Sequence, residues 1–392
     1  MNGSLSGAAG SGANLSALRG HNAALVLGLL RDAGEEGVSR LELAAHTGLT
    51  PQAVSKITAR LRAEGLATEA GHRPSTGGKP RTVLRLVPGA RHAIGLHLDR
   101  DELTAVLVDL AGTPVAVRTA DFDFGAGAER ALTAASTQVR ALIEDAGELL
   151  APAPDHTAYG EPGGGPGGET DGGGLLGVGV AAPGPLDHSS GVLHRVTGFP
   201  QWDGFRLRDA LARRLGLPVV LDKDTNAAAL GLVTAESSAY LHLGTGLGAG
   251  LVLGGGVFRG TRTDAGEFGH QVIQLDGPRC GCGNHGCLEA LCLAAVARGE
   301  TAVAARLLGV GAANLVRLLD IDRVLLGGRV VLADPGPYVH GVSRMLAEDS
   351  ARASRPVVPV EVVERGNRAV VEGAAQLVLA PLFARGRGAM GV

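Results

Sequence analysis

The sequence predicts a small winged head of helices followed by α/β domains with largely parallel sheets. Strand and helix patterns alternate from about residue 92 to the C-terminal region, which is typical of α/β domains. Residues 39–86 have the pattern of two capped helices followed by a hairpin. At 392 residues the chain is also too long for one ordinary hydrophobic core, so two or three domains are expected.

Charge is divided unevenly along the chain. Residues 1–90 contain ten Lys and Arg residues and six acidic residues, which gives this segment a charge of +4. Because the whole chain carries −3, the remainder is acidic, at −7. A basic head on an acidic body predicts that only the head meets a polyanion.

Composition also bears on localisation. The N-terminus shows no charged-then-apolar signal pattern, and apolar runs such as "AALVLGLL" are too short to span a bilayer. The four cysteines fall within one short region, which is not the pattern of a secreted disulfide framework. We therefore expect a soluble cytoplasmic protein without a membrane segment.

The first 88 residues are predicted to hold a flexible tail and a winged helix-turn-helix. Residues 1–20 are rich in Gly, Ala and Ser, and a helical pattern starts at about His21. Ser39 can cap a second helix, Gly48 suits the turn that follows, and Thr50 with Pro51 suits the start of a third. A hairpin with a basic Gly/Pro-rich tip, or wing, then completes the head over residues 21–88.

The third helix is the predicted recognition helix. Its apolar positions share one face, which leaves polar and basic side chains on the other, and the wing adds further basic residues for phosphates. The predicted DNA-contacting residues are Gln52, Ser55, Lys56 and Arg60 on the helix, and Arg73, Lys79 and Arg81 in the wing. The alternative is a three-helix packing module with a solvated charged face.

After a short linker, the body begins with two strands of a meander, "HAIGLHLDRDELTAVLVDLAG". Residues 126–150 are predicted to be helical, and the low-complexity segment 151–174 is a predicted disordered insertion. Later strands include "LLGVGVAAPG", the pair in "SAYLHLGTGLGAGLVLGGGVF", and "DRVLLGG". A closing helix is expected in "AVVEGAAQLVLAPLF".

A cysteine cluster, "CGCGNHGCLE", is the strongest site signal. Cys280, Cys282 and Cys287 are spaced so that three thiolates can converge on one ion, and a tetrahedral zinc needs a fourth ligand. Both His270 and His285 are candidates, and spacing does not decide between them. The alternative is that the thiols are reactive or merely buried.

Two further segments predict a ligand site. The turn "LGTGLGAG" (243–250) offers backbone N–H groups to a phosphate, and "DKDTN" (222–226) places acids at a strand end. Asp224 could act as a general base towards a hydroxyl, or could only cap a helix. Glu267, His270 and Glu289 surround the cysteine motif and suit the recognition of sugar hydroxyls.

From about His21 to the C-terminus the chain resembles the ROK family (repressors, open reading frames and kinases), including the winged head of its repressor branch. The most specific match is "GEFGH" followed by "CGCGNHGCLE", which is similar to the family's zinc signature. The resemblance implies that His270, Cys280, Cys282 and Cys287 bind a structural zinc ion, and it leaves out His285.

The resemblance also implies a two-lobed actin-like, ribonuclease-H-like ATPase (sugar kinase) fold. The first lobe would comprise residues 89–232 and the second residues 233–392, with the C-terminal helix closing back on the first. Glu267, His270 and Glu289 would face a sugar, and Asp224 would occupy the position of the kinase base.

Departures from the family pattern argue against an enzyme. Kinases of the family have Asp-x-Gly-Gly-Thr where this chain has "HLDRD", so His97, Asp99 and Arg100 replace the residues that position ATP phosphates. Relatives often carry asparagine where this chain has Lys223 and Gly198. The segment after Glu289 is also shorter than in relatives.

Lys223 permits two interpretations. It could pair with Asp222 or Asp224, or its ammonium could reach the ligand as a point charge, which would predict an anionic effector.

Together these features predict a DNA-binding transcriptional regulator of sugar or related metabolic genes, most simply a repressor. Its partners would be a double-stranded DNA operator and a sugar, sugar phosphate or sugar acid in the inter-lobe cleft, and the chain would form a homodimer or homotetramer. A ligand that changes lobe closure would alter the spacing of two heads in a dimer. The alternatives are a sugar kinase with an attached head and a ligand-insensitive regulator whose pocket has decayed.

Overall fold

The structure, a computed structural model, describes residues 15–73, 81–150, 174–234, 236–363 and 366–384. The predicted flexible tail up to residue 14, the wing tip with Lys79, and the predicted insertion at 151–173 lie outside the described residues. The chain divides into two compact units, one of residues 1–90 with 379–392 and one of residues 91–378. The C-terminal residues 379–384 thus group with the head, whereas the sequence placed them in the second lobe.

The first unit is a three-helix head with a small antiparallel sheet. Its strands are in the order β1-β3-β2. The sequence pattern predicted that helix α1 starts at about His21, but in the structure it starts at Leu15. The residues between Leu15 and His21 are compatible with a helix. The elements are α1 (Leu15–Asp32), β1 (Val38–Ser39), α2 (Arg40–Thr47), α3 (Pro51–Ala63), β2 (Ala67–Arg73) and β3 (Arg81–Leu86).

The capping signals in the head are confirmed. The Ser39 Oγ accepts a hydrogen bond from the Glu42 N–H, and Glu42 Oε2 accepts one from the Ser39 N–H at 2.8 Å, which forms a capping box. Gly48 ends α2 in the left-handed conformation with a φ of 69°, which glycine adopts without steric cost. The Thr50 Oγ1 accepts from the Ala53 N–H, and Pro51 occupies the first position of α3. These caps fix the turn between α2 and α3.

A shared core and a C-terminal contact hold the head together. Leu30, Leu43, Val54 and Leu84 are fully buried and come from α1, α2, α3 and β3. The Arg31 guanidinium lies 4.1 Å from the centre of the Phe383 ring, within the range of a cation–π contact.

The second unit contains two lobes. The elements of the first are β4 (His92–Leu98), β5 (Glu102–Asp109), β6 (Pro114–Asp121), α4 (Ala128–Asp145), α5 (Gly147–Leu150), β7 (Leu175–Ala182), β8 (Leu186–Asp187), β9 (Val192–Leu193), α6 (Leu207–Leu215), β10 (Val219–Lys223) and α7 (Asp224–Gly231). The elements of the second are β11 (Ser238–Leu243), β12 (Leu247–Leu253), β13 (Gly256–Val257), α8 (Leu288–Ala297), α9 (Thr301–Leu319), β14 (Arg323–Gly327), α10 (Arg329–Ala333), α11 (Pro335–Ala353), β15 (Val360–Val362) and α12 (Ala369–Leu379).

Both lobes have the same sheet topology. The first five-stranded sheet has the order β10-β7-β4-β5-β6, and the second has the order β13-β12-β11-β14-β15. In each sheet, the first three strands in sequence form an antiparallel meander. The fourth strand pairs parallel with the first, and the fifth pairs parallel with the fourth. Each sheet is therefore mixed, with two parallel and two antiparallel pairings, so the expectation of largely parallel sheets holds only in part, because short turns keep each meander antiparallel.

Helix α12 packs directly on the first sheet. A Cβ atom on Gly95 would lie 2.0 Å from the Val371 carbonyl oxygen, and one on Gly179 would lie 1.8 Å from that of Ala374. Only glycine permits this approach of the helix to β4 and β7.

Among the described residues, α9 is long and apolar enough to span a bilayer by length and composition, with a mean hydropathy of 1.5. Its length is not apparent from the apolar runs of the sequence, because Arg306 and Arg317 interrupt them. Here it packs against α8 and α11 in the core of the second lobe, which accounts for its apolar composition.

Candidate functional site

A polar pocket of about 80 Å³ lies between the two lobes of the second unit. It is built from the carboxyl end of β10, the glycine turn between β11 and β12, the segment before α8, and the first turn of α8. The lining residues are Arg100, Pro183, Gly184, Thr197, Lys223, Asp224, Thr225, Gly246, Leu247, Gly248, Gly266, Glu267, His270 and Glu289. All five residues that the sequence assigned to ligand binding are among them.

Two of the carboxylates are held by backbone N–H groups. Asp224 is the first residue of α7, and its Oδ1 accepts a hydrogen bond from the Thr225 N–H at 2.6 Å. Glu289 lies in the first turn of α8, is buried, and accepts a hydrogen bond from the Leu247 N–H at 2.8 Å. Helix N-termini favour negative charge, so both carboxylates are placed to accept hydrogen bonds from hydroxyl groups.

Lys223 has a different partner from the two that the sequence suggested. Its side chain is only 3% exposed, and its Nζ donates to Glu267 Oε1 at 2.9 Å and to the Ala265 carbonyl oxygen at 2.7 Å. Asp222 instead accepts hydrogen bonds from the Lys223 N–H and from the Arg259 Nε, the latter at 2.6 Å. The ammonium of Lys223 is therefore neutralised by Glu267.

The cysteine loop brings four candidate metal ligands together. The donor atoms of His270, Cys280, Cys282 and Cys287 all lie within 4.8 Å of one another. The Cys280 Sγ lies 3.7 Å from His270 Nδ1, and the Cys282 Sγ lies 3.7 Å from the Cys287 Sγ. Tetrahedral bonds of about 2.3 Å to sulfur and 2.0 Å to nitrogen require separations of roughly 3.5–3.8 Å. These pairs therefore fit a single tetrahedral ion.

His285 lies apart from this group. It is exposed and pairs through its backbone with Arg279. By contrast, His270 presents Nδ1 to the thiols and has its Nε2 4.0 Å from Glu267 Oε2, so its ring joins the cluster to the pocket. Burial raises the pKa of Cys287 to about 12, so a metal ion would have to displace a proton from this thiol.

Two acidic residues of the "HLDRD" segment bond to residues of the second lobe. Asp99 Oδ1 accepts a hydrogen bond from the Thr245 hydroxyl at 3.1 Å, and Asp99 Oδ2 lies 3.3 Å from Arg329. Arg329 also pairs with Asp101, at 2.5 Å and 2.9 Å. Burial works to raise the pKa of Asp99, but His97, the Arg100 N–H group and Arg329 together hold it below its usual value. A charged carboxylate therefore lies in the segment that the resemblance aligns with the first phosphate loop of the kinases.

On the head, Gln52, Ser55, Lys56 and Arg60 are exposed along one side of α3. Their buried counterparts on the same helix are Val54, Thr58 and Leu61. Arg60 lies 3.6 Å from Glu64, a pairing that is exposed on both sides. Arg81 is exposed at the start of β3, and the side chain of Arg73 and all of Lys79 lie outside what the structure describes.

Sequence reasoning missed Thr197, which lines the pocket, and Arg259, which supports a residue beside it. Thr197 lines the pocket and also an adjoining cavity of about 500 Å³, whereas Gly198 lines only the latter. Arg259 holds Asp222 in place from a loop after β13. The "TGFPQW" segment drew attention to Gly198 through the family comparison, but no local pattern marked the threonine or the distant arginine.

Comparison with known proteins links the chain to one family. Residues 168–298 match the family model described as ROK family. The xylose repressor of Caldicellulosiruptor bescii is 24% identical, over 94% of this chain and 98% of its own length. A crystal structure of a ROK family transcriptional regulator, a homolog of the E. coli MLC protein, has a TM-score of 0.72 at 22% identity and covers 93% of this chain and 96% of its own. The ROK hexokinase of Thermus thermophilus has a TM-score of 0.57 at 28% identity, over 74% of this chain and 98% of its own.

Proposed function

We propose that this chain, a member of the ROK family, is a cytoplasmic DNA-binding repressor of sugar or related metabolic genes whose operator affinity is set by a sugar-like ligand. The observation that carries the proposal is the contrast between the two halves of the cleft. Asp224, Glu267, His270 and Glu289 line a polar pocket, whereas Asp99 occupies the phosphate loop. Such a site suits the binding of a sugar without phosphoryl transfer.

The head supplies the proposed DNA contacts. The exposed side of α3, with Gln52, Ser55, Lys56 and Arg60, would enter the major groove, and Arg73, Lys79 and Arg81 of the wing would hold phosphates. A homodimer or homotetramer would present paired heads to a two-fold operator. The name of the C. bescii relative, a xylose repressor of matching length, supports both the DNA and the sugar assignment.

The metal centre is proposed to be a structural zinc site. The Cys280, Cys282, Cys287 and His270 donors fit a closed tetrahedral site with no open position for catalysis. Bound there, zinc would supply no chemistry and would fix the cysteine loop. His270 would then be held with its Nε2 towards Glu267, so the metal would order one wall of the pocket.

The proposal is tested by operator selection from random duplexes, followed by binding titrations with and without sugars. We expect a two-fold symmetric site, an affinity that falls steeply with added salt, and release by at least one sugar or sugar derivative. Failure to enrich any sequence would overturn the DNA assignment.

A sugar kinase is the competing function, because Asp224 and the glycine turn at Gly246 line one pocket. Incubating the protein with MgATP and a panel of pentoses and hexoses distinguishes the two. We expect no sugar-dependent release of ADP above that of an Asp224→Asn control.

A further inference from the structure

Arg100 is a cation in the pocket that the proposed function does not yet use. It belongs to the segment that replaces the first phosphate loop, and its side chain lines the pocket together with Asp224. Its NH1 group lies 3.4 Å from the Thr245 carbonyl oxygen, at the long limit of a hydrogen bond, and its guanidinium lies 5.7 Å from the centre of the Phe199 ring. Within the described part of the chain, no carboxylate lies within the 4.0 Å of an ion pair with it.

Arg100 borders a small space beside the glycine turn of the pocket. A Cβ atom built on Gly246 would lie 3.2 Å from an Arg100 NH2 atom and 3.2 Å from Glu289 Oε2, so the guanidinium and this carboxylate border the same small space beside the turn. Glu289 Oε2 already accepts the Leu247 N–H, so an anion placed there would have to bind on the Arg100 side. Among the described acceptors, none receives a hydrogen bond from the Gly246 N–H. Guanidinium groups and unpaired backbone N–H groups of glycine turns are common donors to phosphate or carboxylate.

Lys223, the other basic side chain that lines the pocket, is already paired within the protein. Lys223 donates to Glu267 and to the Ala265 carbonyl oxygen, so its charge is met within the protein. Asp224 and Glu289 provide acceptors for hydroxyl groups and repel an anion placed against them. Recognition of an anionic group thus depends on Arg100.

We propose that the effector is an anionic sugar, carrying a phosphate or a carboxylate, and that Arg100 and the Gly246 N–H receive the anionic group. This inference rests on the proposed function, because it takes the pocket to be the effector site. The sugar hydroxyls would face Asp224, Glu267 and Glu289, and the anion would lie at the end of the sugar next to the glycine turn. The ligand would thus fill space that ATP phosphates occupy in a kinase.

The test is calorimetric binding to the full-length, metal-loaded protein without DNA. The probes are glucose, glucose 6-phosphate, glucuronate, xylose and xylose 5-phosphate, so that phosphate, carboxylate and neutral forms are compared. We expect at least one anionic probe to bind tenfold or more tightly than its neutral parent. Arg100→Ala should weaken that probe by about tenfold to a hundredfold and leave the neutral parent within twofold. Arg100→Lys should retain part of the preference, because it keeps the charge and loses the bidentate geometry.

The control is Arg344→Ala, which removes an exposed arginine of α11 far along the chain and should change neither affinity. The thermal midpoint of each variant shows that it folds. Equal affinity for neutral and anionic forms, binding of no probe, or a preference that survives in Arg100→Ala would each overturn the proposal. An equal loss for both forms would assign Arg100 to balancing the pocket carboxylates instead. Operator binding without ligand, measured separately, tests the proposed repressor function independently of these results.

Discussion

Replacing the buried Lys223 with methionine should lower the stability of the second unit. The substitution keeps a similar side-chain length but removes the ammonium that bonds to Glu267 and the Ala265 carbonyl oxygen. A hydrogen bond to a charged group contributes about 1.5–3 kcal/mol. Since Glu267 is 37% exposed and water can solvate it after the change, the two bonds together should cost only about 2 kcal/mol.

Differential scanning calorimetry measures this cost. For the unit of residues 91–378 a loss of about 2 kcal/mol lowers the midpoint by roughly 3 °C. Arg344→Met is the matched control, because this exposed arginine makes only a 3.8 Å contact with Glu348 in the same unit and should change stability by less than about 0.5 kcal/mol. If Lys223→Met melts with the control, the buried pairing of Lys223 is not the arrangement in solution.

Three further predictions concern other parts of the molecule. Cys282→Ser should lose the metal and stability together, whereas His285→Ala should keep both; elemental analysis with thermal melting checks this, and the reverse pattern would refute the ligand assignment. Lys56→Ala and Arg60→Ala should each weaken operator binding and reduce the salt dependence by about one ion, and unchanged binding in both would exclude α3 as the recognition helix. The hydrogen bond from Arg317 of α9 holds the pKa of Asp349 below its unfolded value of 3.8. The ionised Asp349 therefore stabilises the fold above pH 3.8, and this stabilisation is lost as the pH falls through the lower pKa of the folded state. Asp349→Asn should flatten the acid limb of the stability–pH curve, and an unaltered limb would contradict this.

Local signals predicted the head well because they act over a few residues. Ser39, Gly48 and Thr50 mark helix ends by chemistry that is complete within one turn, and the structure places each cap as expected. The family-model match bears out the ROK resemblance, and the structure and its likeness to solved structures bear out the α/β architecture. The recognition role of α3 stays a prediction.

Contacts between distant residues could not be predicted. The partner of Lys223 is Glu267, and Asp99 is held by Thr245 and Arg329, so these pairs come from opposite lobes or distant loops. No periodicity in the sequence encodes them, because they depend on how the two sheets pack. The choice between His270 and His285 was open for the same reason, since loop conformation decides which imidazole faces the thiols.

The central claim is that one ligand pocket controls DNA binding in this chain, and operator titration in the presence of ligand tests it most directly. Fluorescence anisotropy of the selected operator should show release when a ligand bound by the pocket is added. Asp224→Asn should abolish that release while leaving ligand-free operator affinity unchanged, since Asp224 lines the pocket and lies outside the head. If the native protein holds its operator equally tightly with and without a ligand that calorimetry shows to bind, the account is contradicted.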